Sequence, residues 1–342
     1  MPENPADPPG LDLARLRAHL DRELPGTVRG PLRADLIEGG RSNLTYVLTD
    51  GTGRWVLRRP PLGHVLATAH DMGREHRVMT ALHGTGVPVP GTLLLDRGTD
   101  VLGAPWYLME YVPGTAHRDA APLAALGPER VHALGERLVD TLAALHRIDP
   151  AAVGLADFGR PDGYLERQLR RWSTQLAASR SRELPGVERL HDLLAARLPA
   201  SPAPALVHGD YRLDNVLVDP GGTITAVLDW EMSTLGDPLT DVGLLVMYTE
   251  LAGVGGGIIP AAATAPGFPS AGALVARYAG LTGRDAADLD WYVAFASFKL
   301  AVVAEGIHYR FRQGRTLGAG FERAGEMAPV LAEHGLTTLK DR

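Results

Sequence analysis

The apolar positions of the chain change period along its length. Leu13, Leu16, Leu20 and Leu24 recur at helical spacing and Gly26 follows as a stop, which predicts a short amphipathic helix over 11–24. From Leu32 to about Val112 the texture is different. Short apolar runs at 34–38, 46–48, 55–57, 92–95 and 106–112 alternate with turn residues, and Asp50-Gly51 and Arg97-Gly98 mark tight turns. One helical stretch interrupts these strands at about 69–83, with Met72, Met79 and Leu82 on its apolar face. Beyond Pro113-Gly114 the pattern turns helical. Val131, Leu134, Leu138, Leu142 and Leu145 define a helix over 129–146, and 164–178 and 187–198 are further helices. Two β segments return at 205–207 and 215–228, the second folded back at Pro220-Gly221-Gly222, and helices resume to the end.

This order predicts an α+β chain of two lobes, with a small β-rich lobe over 1–112 and a larger, mainly helical lobe over 113–342. A cleft between such lobes is where a ligand is expected. The length of 342 residues and the 45% hydrophobic content suit two lobes with a large core. The segment 251–272, rich in Gly, Ala and Pro, is expected to be a mobile, weakly packed loop near the acceptor.

Charge and composition remove several function classes. The net charge is −6, with 34 basic against 40 acidic residues, so there is no basic excess to neutralise a phosphate backbone and nucleic acid is not expected as a partner. There are no cysteines, which excludes disulfides, thiolate catalysis and Cys-ligated zinc. The first ten residues hold prolines and acids without an apolar run and read as a frayed tail, not a secretory signal. Pro260, Pro266 and Pro269 break the weakly charged 251–272 stretch, so no membrane span is expected and the protein reads as cytoplasmic.

The strongest chemical signal is Val207-His208-Gly209-Asp210-Tyr211-Arg212-Leu213-Asp214-Asn215-Val216-Leu217. An apolar strand end delivers Asp210 on a tight loop and Asn215 follows five positions later. Phosphoryl transfer needs a carboxylate to orient an attacking hydroxyl and accept its proton. It also needs hard oxygen ligands for Mg²⁺. Asp210 suits the first task as the catalytic residue and Asn215 the second. Kinase catalytic loops have this Asp-x-x-x-x-Asn spacing. In Ala226-Val227-Leu228-Asp229-Trp230-Glu231, Asp229 closes an apolar run and is the second metal ligand expected. Trp230 and Glu231 stand where a kinase has Phe and Gly.

Weaker signals fill in a nucleotide site. Gly39-Gly40-Arg41-Ser42-Asn43 lies between two strands, so that backbone N–H groups at Gly40, Ser42 and Asn43 are candidates to meet phosphate; alone, such a pair of glycines is usually a hairpin turn. Arg58 ends the strand Trp55-Val56-Leu57, where a kinase places Lys, and Glu75 on the following helix is its natural partner; Arg59 is a second candidate for the phosphate role. Met109, Glu110, Tyr111 and Val112 form the inter-lobe segment expected to meet adenine through backbone groups, with plain core as the alternative.

These stretches together closely resemble the aminoglycoside phosphotransferase-like family, and in particular the phosphotransferase-like domain fused to some acyl-CoA dehydrogenases. The resemblance is carried by Gly40-Arg41-Ser42-Asn43, Val56-Leu57-Arg58-Arg59, Arg74-Glu75-His76-Arg77-Val78, Val87-Pro88-Val89-Pro90, 208–215, Val227-Leu228-Asp229-Trp230-Glu231, 233–241, Phe298-Lys299 and Glu305-Gly306. It implies a protein-kinase-like fold, ATP and Mg²⁺. The branch implies an acceptor hydroxyl on an acyl thioester. Lys299 and Arg310, in a late segment with His308, Arg312 and Arg315 against one acid, Glu305, are the candidate substrate residues for an anionic acceptor; a solvated basic helix face is the plain alternative.

His208 is expected to fix the loop backbone by hydrogen bonding, and Asp237 and Asp241 to cap and anchor. Asp214 reads as a solvated turn residue at least as well as a ligand of a second metal ion. The resulting expectation is an ATP- and Mg²⁺-dependent phosphotransferase acting on a small-molecule hydroxyl. Its rivals are a nucleotide-binding pseudokinase, for which the Arg at position 58 speaks, and an aminoglycoside or amino-alcohol kinase.

Overall fold

The structure is a computed structural model, and it describes residues 7–37, 43–62, 71–254, 258–314 and 323–340. Gly40 and Ser42 of the expected phosphate turn, and Arg315, lie outside the described residues. The chain divides into two compact units. One comprises Met1–Pro113 together with Thr225–Glu231, the other Gly114–Ile224 together with Met232–Arg342.

Among the described residues the first unit is an antiparallel sheet with two helices. Helix α1 (Leu13–Glu23) starts where the Asp12 carboxylate caps the Arg15 N–H, and it leads to strands β1 (Arg33–Leu36), β2 (Leu44–Thr49) and β3 (Arg54–Arg59). Helix α2 (Met72–Leu82) follows, then β4 (Thr92–Asp96) and β5 (Trp106–Glu110). The strand order is β1-β2-β3-β5-β4. At the β2–β3 turn Asp50 Oδ1 accepts from Thr52 N at 2.8 Å and Gly53 N at 2.7 Å, closing the Asp-Gly hairpin read from the sequence. Leu16 and Leu20 of α1 pack into one core with Tyr46, Leu48, Trp55, Leu57, Trp106 and Leu108. Strand alternation sends adjacent side chains to opposite faces. Arg59 therefore turns away from Arg58 and donates to the carbonyls of Gly10 and Leu102. It seals the N-terminal lead, which contradicts the expectation that it shares a phosphate role.

The return of 225–231 to the first unit departs from the simple division at 112–113, and hydrogen bonds explain it. Val227 N donates to Pro88 O at 2.8 Å, and Thr225 Oγ1 donates to Pro113 O at 3.2 Å.

The second unit is mainly helical: α3 (Ala120–Ala124), α4 (Pro128–Arg147), α5 (Tyr164–Ser179), α6 (Pro185–Ala196), α7 (Leu239–Glu250), α8 (Ala271–Thr282), α9 (Leu289–Arg312) and α10 (Ala324–Lys340). Strand β6 (Ala205–Val207) pairs antiparallel with β9 (Thr234–Gly236), a strand the sequence pattern did not suggest; β7 (Val216–Val218) and β8 (Ile224–Val227) complete the strands. Helices α7 and α9 are apolar on nearly every side because both lie inside this unit, packed on each other, with α10 covering α9. A side chain at Gly243 would meet the Tyr292 backbone at 2.5 Å, so only glycine permits that approach. The segment expected to be loose is tied down where it is described. Ile258, Ile259, Ala262 and Ala265 are buried, and the N–H groups of Ala261 and Ala262 donate to Arg118 O. The sequence view overlooked how much a Gly/Ala/Pro segment buries when a few isoleucines punctuate it. Among the described residues no helix is long and apolar enough to cross a membrane.

Candidate active site

In the first unit four charged side chains converge. Arg58, at the end of β3, places Nε 3.1 Å from Glu75 Oε2 on α2 and its terminal nitrogen 2.5 Å from Asp229 Oδ1, with Glu231 Oε2 at 3.8 Å. The pair expected of Arg58 and Glu75 is therefore present. Tyr107 on β5 donates to Glu75 Oε2 at 3.0 Å, and the Asn43 amide donates to Glu75 Oε1 at 3.2 Å and to Glu231 Oε2 at 3.3 Å. Burial pushes the Glu75 carboxyl up to about 7, although Arg58 pulls the other way. Burial also works against the charge on Arg58, but Glu75, Tyr107, Asp229 and Glu231 outweigh it and hold the guanidinium more firmly protonated than usual. Asp229 has φ +64°, the one positive value outside glycine among the described residues. Such a conformation costs about 1–3 kcal/mol and persists where surrounding bonds impose it; the Arg58 pair and the Trp230 indole N–H on Val227 O at 3.0 Å do so here.

In the second unit the site is a loop, 208–215, between β6 and β7. Gly209 has φ +85°, and a Cβ there would lie 2.8 Å from Met232, so the turn demands glycine. Asp241, fully buried on α7, accepts the His208 N–H at 2.7 Å and the Gly209 N–H at 2.8 Å. The same carboxylate pairs with His146 Nε2 at 3.2 Å, and His146 Nδ1 meets the Tyr278 hydroxyl at 2.8 Å. Burial alone would raise the Asp241 carboxyl, but the His146 and His208 groups and the loop N–H bring it below the ordinary value. His208 Nδ1 accepts the Asp210 N–H at 3.2 Å, the backbone-fixing role read from the sequence.

Asp210 itself stays a quarter exposed, at 24% of its side chain. Asn215 Nδ2 donates to Asp210 O at 2.8 Å and Oδ2 at 3.0 Å, Tyr248 OH donates to Oδ1 at 3.4 Å, and Arg212 Nε lies 3.3 Å from Oδ2. Asp214 is engaged by Arg118 at 3.0 Å and Arg212 at 3.2 Å, and burial raises its carboxyl. Lys299 on α9 donates to Gly209 O, and its ammonium lies 5.5 Å from the Trp172 ring centre. Arg310 is exposed on the last turn of α9. Glu110, at the exposed end of β5, bonds Gly91 through its backbone N–H at 2.8 Å and its carboxylate at 3.2 Å, and Val112 follows the strand half-buried. The N-cap of α7 is Pro238; Asp237 before it anchors the entry, accepting Leu239 N at 3.0 Å and Tyr292 OH at 2.8 Å.

Sequence reasoning did not pick out Tyr107, Tyr248, Arg212 or the His146–Tyr278 pair. An acid followed by the apolar run 242–247, as at Asp241, is the available hint that a polar network lies inside.

The comparisons with known proteins agree with this geometry. A family model described as phosphotransferase enzyme family matches residues 33–279. A solved structure from Ralstonia eutropha, provisionally assigned as an aminoglycoside phosphotransferase, is 34% identical, with a TM-score of 0.82 over 96% of this chain and 98% of that one. Acyl-CoA dehydrogenase family member 11 of Gallus gallus is 34% identical over 341 residues, and member 10 of Mus musculus 35% over 309, covering 96% and 89% of this chain but 44% and 29% of theirs. The chain thus spans less than half the length of these dehydrogenase relatives. The GDP complex of aminoglycoside 2′-phosphotransferase-IIIa, at 14% identity and a TM-score of 0.61 over 97% of this chain and 100% of that one, shares the fold. A sheet-based first unit, a helical second unit and these matches make the fold protein-kinase-like, and the chain belongs to the phosphotransferase enzyme family.

Proposed function

We propose that this protein transfers the γ-phosphoryl group of ATP to a hydroxyl of a small molecule, with Mg²⁺ as the metal. The observation that supports this most is the bonding around Asp210. A carboxylate left partly exposed, on a loop whose neighbouring backbone groups are held by Asp241, His208 and Asn215, suits a residue that must align a hydroxyl and take its proton. Asn215 and Asp229 are assigned to the metal. Their oxygens are the hard donors Mg²⁺ prefers, and both amide bonds of Asn215 use its nitrogen. Among the described residues no three His, Asp or Glu side chains cluster tightly enough to hold a metal alone, so nucleotide phosphates and water complete its shell in this reading. Bound Mg²⁺ supplies neutralisation of phosphate charge. Arg58, steadied by Glu75, binds phosphate, and backbone groups at Gly40, Ser42, Asn43, Glu110 and Val112 complete the nucleotide contacts. The protein is cytoplasmic in this reading.

The acceptor is assigned as anionic, with a hydroxyacyl-CoA as the leading class. Cations support this: Arg212 beside Asp210, and Arg310 exposed on the last turn of α9. The kinship with acyl-CoA dehydrogenase family members points the same way. One observation favours a second reading, a nucleotide-binding pseudokinase: the Arg58 pair engages the carboxylate assigned to the metal. ADP release across hydroxyacyl-CoAs, simple alcohols, amino alcohols and kanamycin-type aminoglycosides separates the cases. Turnover of a hydroxyacyl-CoA supports the proposal. Turnover of aminoglycosides alone removes the anionic acceptor, and nucleotide binding with no turnover on any acceptor leaves the pseudokinase.

A further inference from the structure

Lys299 is a charge in an apolar setting. It sits on a helix whose neighbouring positions are apolar, Phe298 and Leu300 on either side being buried, and its ammonium meets a neutral carbonyl where a carboxylate would be the usual partner. That carbonyl belongs to Gly209, the residue before Asp210. Taken along the loop, the bonded backbone groups are His208 N and Gly209 N on Asp241, Gly209 O on Lys299, Asp210 N on His208 Nδ1, and Asp210 O on Asn215. Two N–H groups of the turn, those of His208 and Gly209, are held from α7, and the Gly209 carbonyl is held from α9. Gly209, at φ +85°, lacks the Cβ that restricts other residues, so the backbone is intrinsically freest at this point. A donor fixed on the Gly209 carbonyl removes rotation of the peptide that carries Asp210. Trp172 packs beside the ammonium and limits its movement.

We infer that Lys299 is a positioning residue: through the Gly209 carbonyl it sets the orientation of the Asp210 peptide, and it does not contact the acceptor. The inference rests on the phosphotransferase reading for its effect on rate, but not for its effect on the loop. A lysine that recognised an anionic substrate would direct its ammonium to the ligand; this one is spent on its own chain. Burial lowers the Lys299 ammonium from its ordinary value while Asp210 and Asp241 support its charge, in keeping with a group enclosed by the loop it holds.

The test uses the full chain and two variants, Lys299→Met and Lys299→Gln, so that a folding failure in one leaves the other. Hydrogen exchange of peptides covering 207–212 is compared with peptides from α7 and α9, and steady-state kinetics are run beside it. Exchange at 207–212 is expected to rise with α7 and α9 unchanged. A small misplacement of a reacting group can cost about 100-fold, so kcat is expected to fall about 10–100-fold. Unchanged KM values for ATP and acceptor would accompany it. Wild-type exchange at 207–212 in both variants overturns the inference. So does a raised acceptor KM with kcat and exchange preserved, which makes Lys299 a substrate contact. If the wild type turns over no acceptor, the phosphotransferase reading fails, and the exchange comparison still decides for or against Lys299.

Discussion

Arg58 and Asp229 are joined by an ion pair of 2.5 Å although 171 positions separate them. The pair brings the end of β3 to the segment after β8, and through Glu75 it extends to α2. Arg58 thereby serves three acids at once. A Lys ammonium is a compact point charge, whereas the planar guanidinium presents several donors in a fixed fork, so Arg at this position is suited to bridging.

Removing that guanidinium leaves Glu75 buried without its cation. Breaking one side of a buried pair costs about 3–5 kcal/mol, so Arg58→Ala is expected to lower stability by that order in chemical denaturation. In kinetics, the KM for ATP should rise more than the KM for acceptor. An equal rise in both would remove Arg58 from the nucleotide site.

Glu75 carries a pH signature of definite sign. Its carboxyl is raised from 4.5 to about 7 by burial, so the folded state holds the proton that the unfolded state releases. The associated stability is fully present below pH 4.5 and is lost as pH rises through 7. The loss is on the order of 3 kcal/mol. Glu75→Gln cannot titrate, so urea denaturation at pH 5 and pH 8 should show the variant gaining on the wild type at the higher pH. A constant difference between the two proteins would refute the assignment.

Asp210→Asn keeps the shape of the side chain and removes its basicity. Turnover is expected to fall ~10²–10⁴-fold with nucleotide affinity retained, as calorimetry would measure. A near-normal rate would sink the catalytic role.

Asp229→Ala removes an anionic oxygen from the proposed Mg²⁺ shell, which has few protein donors. The expected result in calorimetry is that Mg²⁺ no longer strengthens nucleotide binding. Because Arg58 loses its partner as well, metal-free nucleotide affinity serves as the control; Mg²⁺ dependence identical to wild type would contradict the metal assignment.

Asp241→Asn tests the loop anchor. The amide offers one acceptor where the carboxylate serves two backbone N–H groups and His146. Each buried donor left unmatched costs about 1–3 kcal/mol, and kcat should fall with the loop disturbed. The Asp241 carboxyl is held below its ordinary 3.8, so its contribution is present above that pH and is lost as pH falls through the lowered value. The stability gap between variant and wild type should therefore close in acid, as denaturation below pH 3.8 would show.

Much of this was legible in the chain itself. The helical spacing of Val131 to Leu145 marked α4 to within a residue or two at each end, since a regular 3.6-residue apolar stripe has few other readings. The strands at 46–48 and 55–57 were located through their Asp-Gly turn, though pairing extends them to Leu44–Thr49 and Arg54–Arg59. The strand expected over 106–112 is shorter in the structure, where β5 ends at Glu110. β9 escaped notice because a three-residue strand has no period of its own and exists only through its pairing with β6.

The linear chain carries the list of chemical groups and their order: an Asp and an Asn five apart on a loop, an Asp closing an apolar run, an Arg on a strand and a Glu on the next helix. Those depend on local spacing, which covalent geometry imposes. Only the tertiary structure decided which groups meet. It gave Arg58 to Asp229 as well as Glu75, turned Arg59 to the Gly10 and Leu102 carbonyls, set Asp241 under the 208–209 loop, and closed Lys299 onto Gly209. These contacts join residues from 17 to 171 positions apart. Such contacts depend on how helices and strands pack, and packing is a property of the whole chain that no local window contains.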